Sequence, residues 1–325
     1  MLTKSDLLGE SDYLPAMEGP VAAWLRDTVL SGNLSSFDDT ALRYYYAIPE
    51  GAKGIVLMVH GLSEFFGKYH EMAWYFYRSG FGFFFLEQRG HGYSGGKLPD
   101  AADIVVIDDF RTYMKDLKCF YDRIVDPRSE GLPKVIFAHS MGGAVSALFL
   151  ENYPGLFKGA VFSSPMFRLS TGGQGPVVVL AVKTFVKLTG RMELPGPGQH
   201  RFDRTPVFET SSALSKARYD YLFRQRLEDS HYQTYAASYA WIFASIEVGK
   251  RLMKGTGKLT LPMTIFTAGQ DKLIDPEGYA EFAKRVPKAV FVHYESSRHE
   301  IYNADDDVRI DYYEKLLLTL DQYLS

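Results

Sequence analysis

The chain has 325 residues, of which 46% are hydrophobic, and this is enough to form a substantial buried core. Its net charge of only −3 argues against a nucleic-acid-binding protein, for which a strongly basic balance would be expected. The longest apolar run, VVVLAV at 177–182, is far shorter than the ~20 residues that span a bilayer. These features predict a soluble globular protein whose membrane contact, if any, is peripheral.

The N-terminal stretch MLTKSDLLGESDYLPAMEG scatters acidic residues among its apolar ones. It has neither the continuous apolar centre nor the small-residue cleavage site of a secretory signal. Cys119 is the single cysteine of the chain and therefore cannot form an internal disulfide. We therefore expect a cytoplasmic protein in a reducing compartment, with no redox chemistry.

Short apolar runs rich in β-branched and aromatic residues alternate along the chain with helical patterns. The predicted strands are 41–48, 54–59, 81–86, 134–138, 159–163, 263–268 and 289–294. The predicted helices between and after them are 69–79, 105–123, 141–153, 277–286 and 308–324. Runs such as GIVLMV (54–59) are apolar at every position, which is typical of strands covered by helices on both faces. The fold class predicted is α/β, with a doubly wound, mostly parallel sheet.

This alternation stops after SSPMF (163–167) and resumes only near LTLPMTIF (259–266). The intervening segment contains the amphipathic VVVLAVKTFVKL (177–188) and two further helical stretches, at 212–228 and 232–254. We therefore expect a helical cap at 166–258, inserted between two parts of one core domain, 1–165 and 259–325.

Ser140 lies at the end of a predicted strand and directly before a predicted helix. The pentapeptide AHSMG (138–142) matches the nucleophile elbow G-x-S-x-G, with Ala138 in the first glycine position. Such pentapeptides also occur by chance, so the serine alone decides nothing. A serine hydroxyl reacts only if a base removes its proton and a third group orients that base.

Candidates for both partners follow later strands, in the chain order Ser, Asp, His that this fold uses. Asp271 in GQDKLIDP (269–276) is the predicted acid, and His299 in ESSRHEIYN (295–303) is the predicted base. Both come just after strand ends, which places them at the same edge of the sheet as Ser140. Asp275 is a rival acid, but it directly precedes Pro276 and a predicted helix, which is a capping position.

An oxyanion hole needs two backbone donors near the serine. The predicted donors are the N–H groups of Met141, directly after the serine, and of Leu62, in the loop MVHGLSEF (58–65). The other histidines show no metal-ligand spacing, and His91 and His139 are interpreted as structural. We predict no metal and no cofactor.

The motifs HGLSEFFGKY, EQRGHGYSGG, AHSMGGA, AGQDKLID and SRHEIYN occur in this order along the chain. Together they resemble the α/β-hydrolase superfamily, and more narrowly its monoacylglycerol lipase and lysophospholipase branch. The segments LSKARY and SYAWIFASIEVGKRL are most similar to the bacterial lysophospholipase L2 group. The resemblance implies an α/β-hydrolase fold with an inserted cap, Ser140 as nucleophile, Asp271 and His299 as its partners, and Leu62 and Met141 as oxyanion donors.

The predicted cap is rich in Phe, Tyr and Trp, which favours an apolar substrate, although many of these rings could simply pack the cap on the core. It also carries 14 Lys or Arg against 7 Asp or Glu. This excess is typical either of a solvated helical surface or of a surface that attracts anionic lipid headgroups. It disfavours a peptidase that recognises a free N-terminus, because such a site needs carboxylates near the substrate amine.

The sequence therefore predicts a serine carboxylester hydrolase that releases fatty acid from a single-chain glycerolipid, with a lysophospholipid as the first choice. A monoacylglycerol lipase or a general carboxylesterase is the alternative within the same class. A module that binds an acyl ligand without turnover is the alternative from another class, and the complete Ser, Asp and His set argues against it. The expected partners are the lipid ester and, through the basic cap, a membrane surface.

Overall fold

The computed structural model describes residues 2–325. In this range eight strands form one sheet, and two short strands form a second one. The strands are β1 (Leu30–Ser35), β2 (Ala41–Ala47), β3 (Gly54–Val59), β4 (Phe81–Leu86), β5 (Ile104–Val105), β6 (Lys134–His139), β7 (Gly159–Ser163), β8 (Ala236–Ala237), β9 (Met263–Ala268) and β10 (Val290–Tyr294).

The order in the large sheet is β1-β2-β4-β3-β6-β7-β9-β10. From β4 to β10 every neighbouring pair is parallel, whereas β1 and β2 add an antiparallel edge. Residues of β3, β4, β6, β7 and β9 are buried at every position, as strands covered on both faces require. The predicted doubly wound, mostly parallel sheet is confirmed.

Helices cover both faces of this sheet and bury one apolar cluster on each. The helices are α1 (Glu10–Ala16), α2 (Ala22–Thr28), α3 (His70–Arg78), α4 (Arg111–Phe120), α5 (Asp126–Arg128), α6 (Met141–Asn152), α7 (Pro176–Leu188), α8 (Lys216–Glu228), α9 (Tyr239–Gly255), α10 (Pro276–Arg285) and α11 (Asp306–Leu324). Five-residue π-helical segments join α1 to α2 (Met17–Val21) and α4 to α5 (Tyr121–Val125). Short 3₁₀ turns lie at Lys4–Asp6, Phe66–Tyr69, Ser230–Tyr232, Thr256–Lys258 and Ile301–Asn303.

Two predicted helices, 105–123 and 232–254, begin six or more residues later than the sequence pattern indicates. The α-helix predicted from residue 232 begins only at Tyr239, where Ser238 caps α9 by accepting a 3.1 Å hydrogen bond from the Trp241 N–H. The two residues before this cap form β8, which pairs with β5. Val105, the second residue of β5, is predicted from the sequence as the start of the helix 105–123, and that start is wrong because α4 begins at Arg111.

The segment between β7 and β9, residues 164–262, contains α7, α8 and α9 and adds no strand to the large sheet. We call it the cap segment. It is joined closely to the core: a Cβ at Gly255 of α9 would lie 2.2 Å from the side-chain Oε2 of Glu151 in α6. The cap segment lies over the carboxyl edge of the parallel strands, which is the edge where open α/β sheets bind ligands. The domain boundaries at 165 and 258 stay a prediction.

Candidate active site

Ser140 occupies a strained turn between β6 and α6. Its backbone has φ 51° and ψ −119°, in the positive-φ region that a residue with a side chain rarely adopts. The turn is possible because small residues surround it: a Cβ at Gly142 would lie 2.2 Å from the Val59 carbonyl oxygen, and one at Gly143 would lie 2.4 Å from the Pro165 Cβ. The turn presents the Ser140 hydroxyl at the N-terminus of α6, where backbone N–H groups favour negative charge.

The three side chains that the sequence singles out for catalysis are hydrogen-bonded in a row. Ser140 Oγ lies 2.8 Å from His299 Nε2, and His299 Nδ1 lies 2.6 Å from Asp271 Oδ2. The side chains of His299 and Asp271 are only 6% and 4% exposed, so water competes little for these bonds. The loops after β6, β9 and β10 thus bring together residues that are up to 159 positions apart in the chain.

Asp271 is held as a carboxylate. Burial opposes its ionisation, but the His299 imidazole and the backbone N–H groups of Leu273 and Ile274 outweigh that effect and lower its pKa below the ordinary value. The two N–H groups donate to Asp271 Oδ1 at 2.8 and 3.2 Å, which leaves Oδ2 free for the imidazole. A carboxylate fixed in this way can hold the imidazole in one tautomer and orientation.

Asp275, the rival acid, is used elsewhere. It is the N-cap of α10, where its Oδ1 accepts a 3.0 Å hydrogen bond from the Glu277 N–H, and its other oxygen lies 3.6 Å from Arg168. Among the described residues it makes no hydrogen bond to His299. The geometry therefore favours Asp271 over Asp275 as the partner of the histidine.

The two predicted oxyanion donors belong to Met141, the residue directly after the serine, and to Leu62, which lines the same cavity as Ser140. Within residues 2–325 neither the Leu62 N–H nor the Met141 N–H donates to a protein acceptor. The loop that carries Leu62 passes very close to the nucleophile, because a Cβ at Gly61 would lie 3.1 Å from the Ser140 Cβ. Free backbone donors in these two positions can stabilise charge that develops on a substrate oxygen.

A buried ionic cluster that the sequence analysis did not predict supports this loop. Glu64 accepts hydrogen bonds from the Gly61 N–H and from the Tyr69 hydroxyl, and Lys68 bridges Glu64 and Glu300 at 2.6 and 2.7 Å. Burial opposes the charge on Glu64, but Lys68 and other neighbours hold its pKa well below the ordinary value. The i,i+4 spacing of Glu64 and Lys68, directly after the oxyanion loop, was the available sequence signal.

Three other histidines near the site are buried and neutral. Burial lowers the pKa of His60 and of His139 to about 4, and lowers that of His91 as well. His139 packs against the catalytic candidate, with its ring centroid 4.8 Å from that of His299, while its Nδ1 contacts the Ser163 carbonyl at 3.0 Å. Within the part of the chain that the structure describes, no group of three or more His, Cys, Asp or Glu could hold a metal ion.

A cavity of about 1610 Å³ opens above Ser140 and His299, between the sheet edge and the cap segment. Its walls combine aliphatic and aromatic side chains with a smaller set of charged ones. The apolar lining includes Val178, Val179, Val182, Leu222, Phe223, Tyr239, Trp241, Ile242, Phe243 and Ile246. The cavity is large enough for a substrate with one long acyl chain, because ligand pockets commonly measure ~300–1,000 Å³.

A family model described as "Serine aminopeptidase, S33" matches residues 50–306, which is most of the chain. The chain belongs to this hydrolase family. Relatives of this serine hydrolase include lysophospholipase L2 of Escherichia coli, 26% identical over 85% of this chain and 80% of the relative. They also include a monoacylglycerol lipase of Mycolicibacterium smegmatis, 28% identical over 77% of this chain and 82% of the relative.

Solved structures support the same fold. A soluble variant of the monoglyceride lipase of Saccharomyces cerevisiae, crystallised with a substrate analogue, superposes with a TM-score of 0.71. The match covers 91% of this chain and 95% of the yeast chain at 18% sequence identity. The chain therefore has the α/β-hydrolase fold that the sequence motifs imply, and it is a serine hydrolase.

Proposed function

We propose that this hydrolase cleaves the carboxylic ester of a single-chain glycerolipid, with a lysophospholipid as the preferred substrate and Ser140, His299 and Asp271 as the catalytic residues. The observation that carries the proposal is the unbroken hydrogen-bonded row from Ser140 to Asp271 at the floor of a largely apolar cavity. Two relatives whose names specify lysophospholipid or monoacylglycerol cleavage support the choice of substrate class.

In the acyl-transfer cycle that we propose, each of these groups has a defined role. His299 takes the Ser140 proton as the hydroxyl oxygen attacks the ester carbonyl, and the carbonyl oxygen becomes an oxyanion held by the Leu62 and Met141 N–H groups. The protonated His299, stabilised by Asp271, returns its proton to the departing glycerol oxygen and leaves an acyl-serine. A water molecule, deprotonated by His299, then attacks this ester and releases the fatty acid and free Ser140.

The cavity offers positive charge for an anionic headgroup. Arg204 and Lys272 line it, and within the described residues neither is paired with a carboxylate. Three acidic side chains also line the cavity: Glu64 and Glu300, which Lys68 bridges, and Asp203, which accepts a 2.9 Å hydrogen bond from the Thr205 N–H. The unpaired cations therefore outnumber the unpaired carboxylate, which suits a phosphate-bearing lipid and disfavours recognition of a substrate amine by a peptidase.

Ester hydrolysis is tested with two single variants, Ser140→Ala and Ser170→Ala. Ser170 is the control, because it is a second serine that lines the same cavity. We expect a fluorophosphonate probe to label the wild type and Ser170→Ala but not Ser140→Ala. Ester turnover should fall at least about 10⁴-fold in Ser140→Ala, because the whole hydrogen-bonded row acts through this oxygen. Unchanged turnover in Ser140→Ala would leave the non-catalytic acyl-binding module as the better interpretation.

The headgroup preference is tested by comparing a lysophosphatidylglycerol with a monoacylglycerol that carries the same acyl chain. We expect a higher kcat/KM for the phosphate-bearing lipid, by at least about tenfold. The double variant Arg204→Gln, Lys272→Gln should lose this preference, whereas Lys254→Gln, a cap substitution outside the cavity, should keep it. Equal rates for the two lipids in the wild type would instead favour a monoacylglycerol lipase or a general carboxylesterase.

We further propose that the enzyme is cytoplasmic and meets its substrate at a membrane surface through α7. Of the 13 residues in this helix only Val186 is buried, while Val177, Leu180, Phe185 and Leu188 are 58–83% exposed. Lys183, Lys187 and Arg191 are nearby and form no salt bridge among the described residues. An exposed apolar face with basic neighbours suits the boundary of an anionic bilayer. No helix in the described range is long and apolar enough to span a membrane.

The membrane proposal is tested with the double variant Leu180→Ser, Leu188→Ser. Its matched control is Leu318→Ser on α11, which replaces a leucine that is 54% exposed on another surface. We expect the wild type and the control to sediment with phosphatidylcholine vesicles that contain phosphatidylglycerol, and the double variant to stay in solution. Equal sedimentation of all three proteins would contradict a role of α7 in binding.

A further inference from the structure

The turn that carries the Leu62 N–H is supported from two sides by different parts of the molecule. On one side the core holds it, because the Gly61 N–H donates to the buried carboxylate of Glu64 and the His60 carbonyl accepts a 2.6 Å hydrogen bond from Gln88. On the other side the support comes from the cap segment, at Ser63. Leu62 lies between the two supports, so both determine the direction of its N–H.

Ser63 needs such a support because its own backbone conformation is unfavourable. It has φ 60°, one of four positive φ values among non-glycine residues in the described range. Two hydrogen bonds to the cap segment hold it there: its carbonyl oxygen accepts from Arg226 Nη2 at 2.5 Å, and its hydroxyl donates to the Tyr235 carbonyl at 2.5 Å. Within residues 2–325 no core residue makes a hydrogen bond to Ser63.

Arg226 is well placed to transmit the position of the cap. It lies near the C-terminal end of α8, is only 7% exposed, and its guanidinium carbon lies 5.8 and 5.4 Å from the ring centroids of Phe65 and Tyr235. The same helix is fixed at its first turn by Arg218, which bonds to Glu71 of the core at 2.6 and 2.8 Å. A shift of α8 therefore moves the Arg226 fork, and the Ser63 carbonyl with it.

We propose that Arg226 is a positioning residue through which the seated cap aligns the Leu62 oxyanion donor. The inference rests on the proposed ester hydrolysis and adds to it that the cap contributes to the chemical step as well as to substrate selection. When the cap moves and α8 leaves its observed position, Ser63 loses its hydrogen bonds to the cap, and the Leu62 N–H turns away from the substrate oxygen. Misplacement of a group by about 1 Å can cost on the order of 10²-fold in rate.

The test uses Arg226→Gln and a short chromogenic ester, whose acyl group is too small to fill the apolar part of the cavity. We expect kcat to fall about 10- to 100-fold, somewhat less than when an oxyanion donor is deleted outright, while KM changes by less than about threefold. A trifluoromethyl ketone adds to the Ser140 oxygen, and its carbonyl oxygen then becomes an oxyanion. The affinity for this inhibitor should fall by the same factor as kcat/KM. Arg226→Lys should recover part of the rate.

The matched control is Arg224→Gln, two residues earlier on α8, where the side chain is 45% exposed and pairs with Glu18 at 2.7 Å. It should keep wild-type kcat. A wild-type kcat in Arg226→Gln, or a change confined to the KM of long-chain substrates, would overturn the proposal, since Arg226 would then only contact substrate. Failure of the proposed function would look different. In that case the wild type itself would not hydrolyse the ester, or its turnover would be unchanged in Ser140→Ala.

Ser63→Ala keeps the test decisive if Arg226→Gln does not fold. It removes the hydroxyl bond to the Tyr235 carbonyl and leaves the Arg226 contact in place. We expect kcat to fall about three- to tenfold with KM unchanged, and the two substitutions combined to cost less than the product of their separate effects. An unchanged kcat in Ser63→Ala, when Arg226→Gln is unfolded, would overturn the proposal.

Discussion

The helices α7 and α8 belong to the same cap segment and are each 13 residues long, yet they are attached to the molecule in opposite ways. The apolar helix, PVVVLAVKTFVKL, is largely exposed, whereas the polar one, KARYDYLFRQRLE, buries two arginines, Arg218 and Arg226, against the core. Core residues are mostly apolar, but many apolar residues are also found on protein surfaces. The polarity of a cap helix therefore does not by itself reveal which of its sides faces the core. In these two helices, charged side chains provide the attachment and apolar ones provide the free surface, whereas α9 of the same cap segment buries apolar side chains.

The largest effect is expected from breaking the attachment of α8. Arg218→Met would remove a guanidinium that is 2% exposed and leave the Glu71 carboxylate, whose side chain is 5% exposed, without its main partner. We expect a loss of about 3–5 kcal/mol in the free energy of unfolding, because the buried carboxylate keeps only the more distant Arg309, at 3.9 Å, as a positive partner. Denaturant unfolding of the full chain measures it.

Arg224→Met is the control for this change, since the pair that Arg224 forms with Glu18 is solvent-exposed on both sides. Its free energy of unfolding should change by less than about 1 kcal/mol. Equal stability of the two methionine variants would show that the buried pair does not fix α8, and the contrast between the two cap helices would then lose its physical basis.

We expect the free energy of unfolding to depend on pH through Glu87, which lies on the α8 side of the molecule. This carboxyl accepts the Tyr93 N–H at 2.7 Å, and the Tyr93 hydroxyl bonds to Asp229 at the end of α8. Burial raises the pKa of Glu87 to about 7 from its ordinary 4.5, although the two backbone N–H donors and the positive charges of Lys97 and Arg43 oppose the shift. The folded protein therefore binds a proton that the unfolded chain has released.

Because the folded-state pKa is raised, stability should fall as the pH rises from about 4.5 through about 7. Glu87→Gln, which stays neutral, should be about as stable as the wild type at the acidic end of this window and more stable at its upper end. Thermal unfolding of both proteins across the window measures this, and the paired comparison cancels the titration of His60 and His139. Parallel curves for the two proteins would be evidence against a neutral Glu87.

The smallest effect is expected on the α7 side. The double variant Leu180→Ser, Leu188→Ser changes side chains that are 64% and 83% exposed, so the free energy of unfolding should change by no more than about 0.5 kcal/mol per site. Denaturant unfolding again gives the measurement, with Leu318→Ser as the control. A loss of several kcal/mol would show that this apolar face is covered within the molecule, contrary to its exposure.

Most of the sheet could be predicted from the sequence because its inner strands are short runs made mostly of apolar residues. The edge strand β1, with the sequence LSGNLS, was not predicted, because only Leu34 in it is buried and its side chains carry almost no pattern. The N-terminal helices α1 and α2 were missed as well. Their path contains Pro15 and Pro20, which normally end a helix, and here a π-helical segment accommodates the second of them.

The predicted site residues could be found because each follows the end of a strand, and strand ends of a parallel sheet converge. Ser140, Asp271 and His299 meet as that reasoning expects, and their catalytic roles stay a prediction until the variants are measured. The supports of the site could not be found in this way. Arg226 lies in a polar helical pattern that is typical of a solvated surface, and only the approach of α8 to the loop at Ser63 shows its use.

The two-sided support of the oxyanion turn has a practical consequence for enzyme engineering. Exchanging the cap of this hydrolase for that of a relative would be the natural way to transplant a new substrate range. Such a chimera would keep its nucleophile and histidine intact and still turn over slowly unless the donated cap also supplied a hydrogen-bond donor for the Ser63 carbonyl. Caps for such chimeras should therefore be selected first for this contact and only then for the side chains with which they line the cavity.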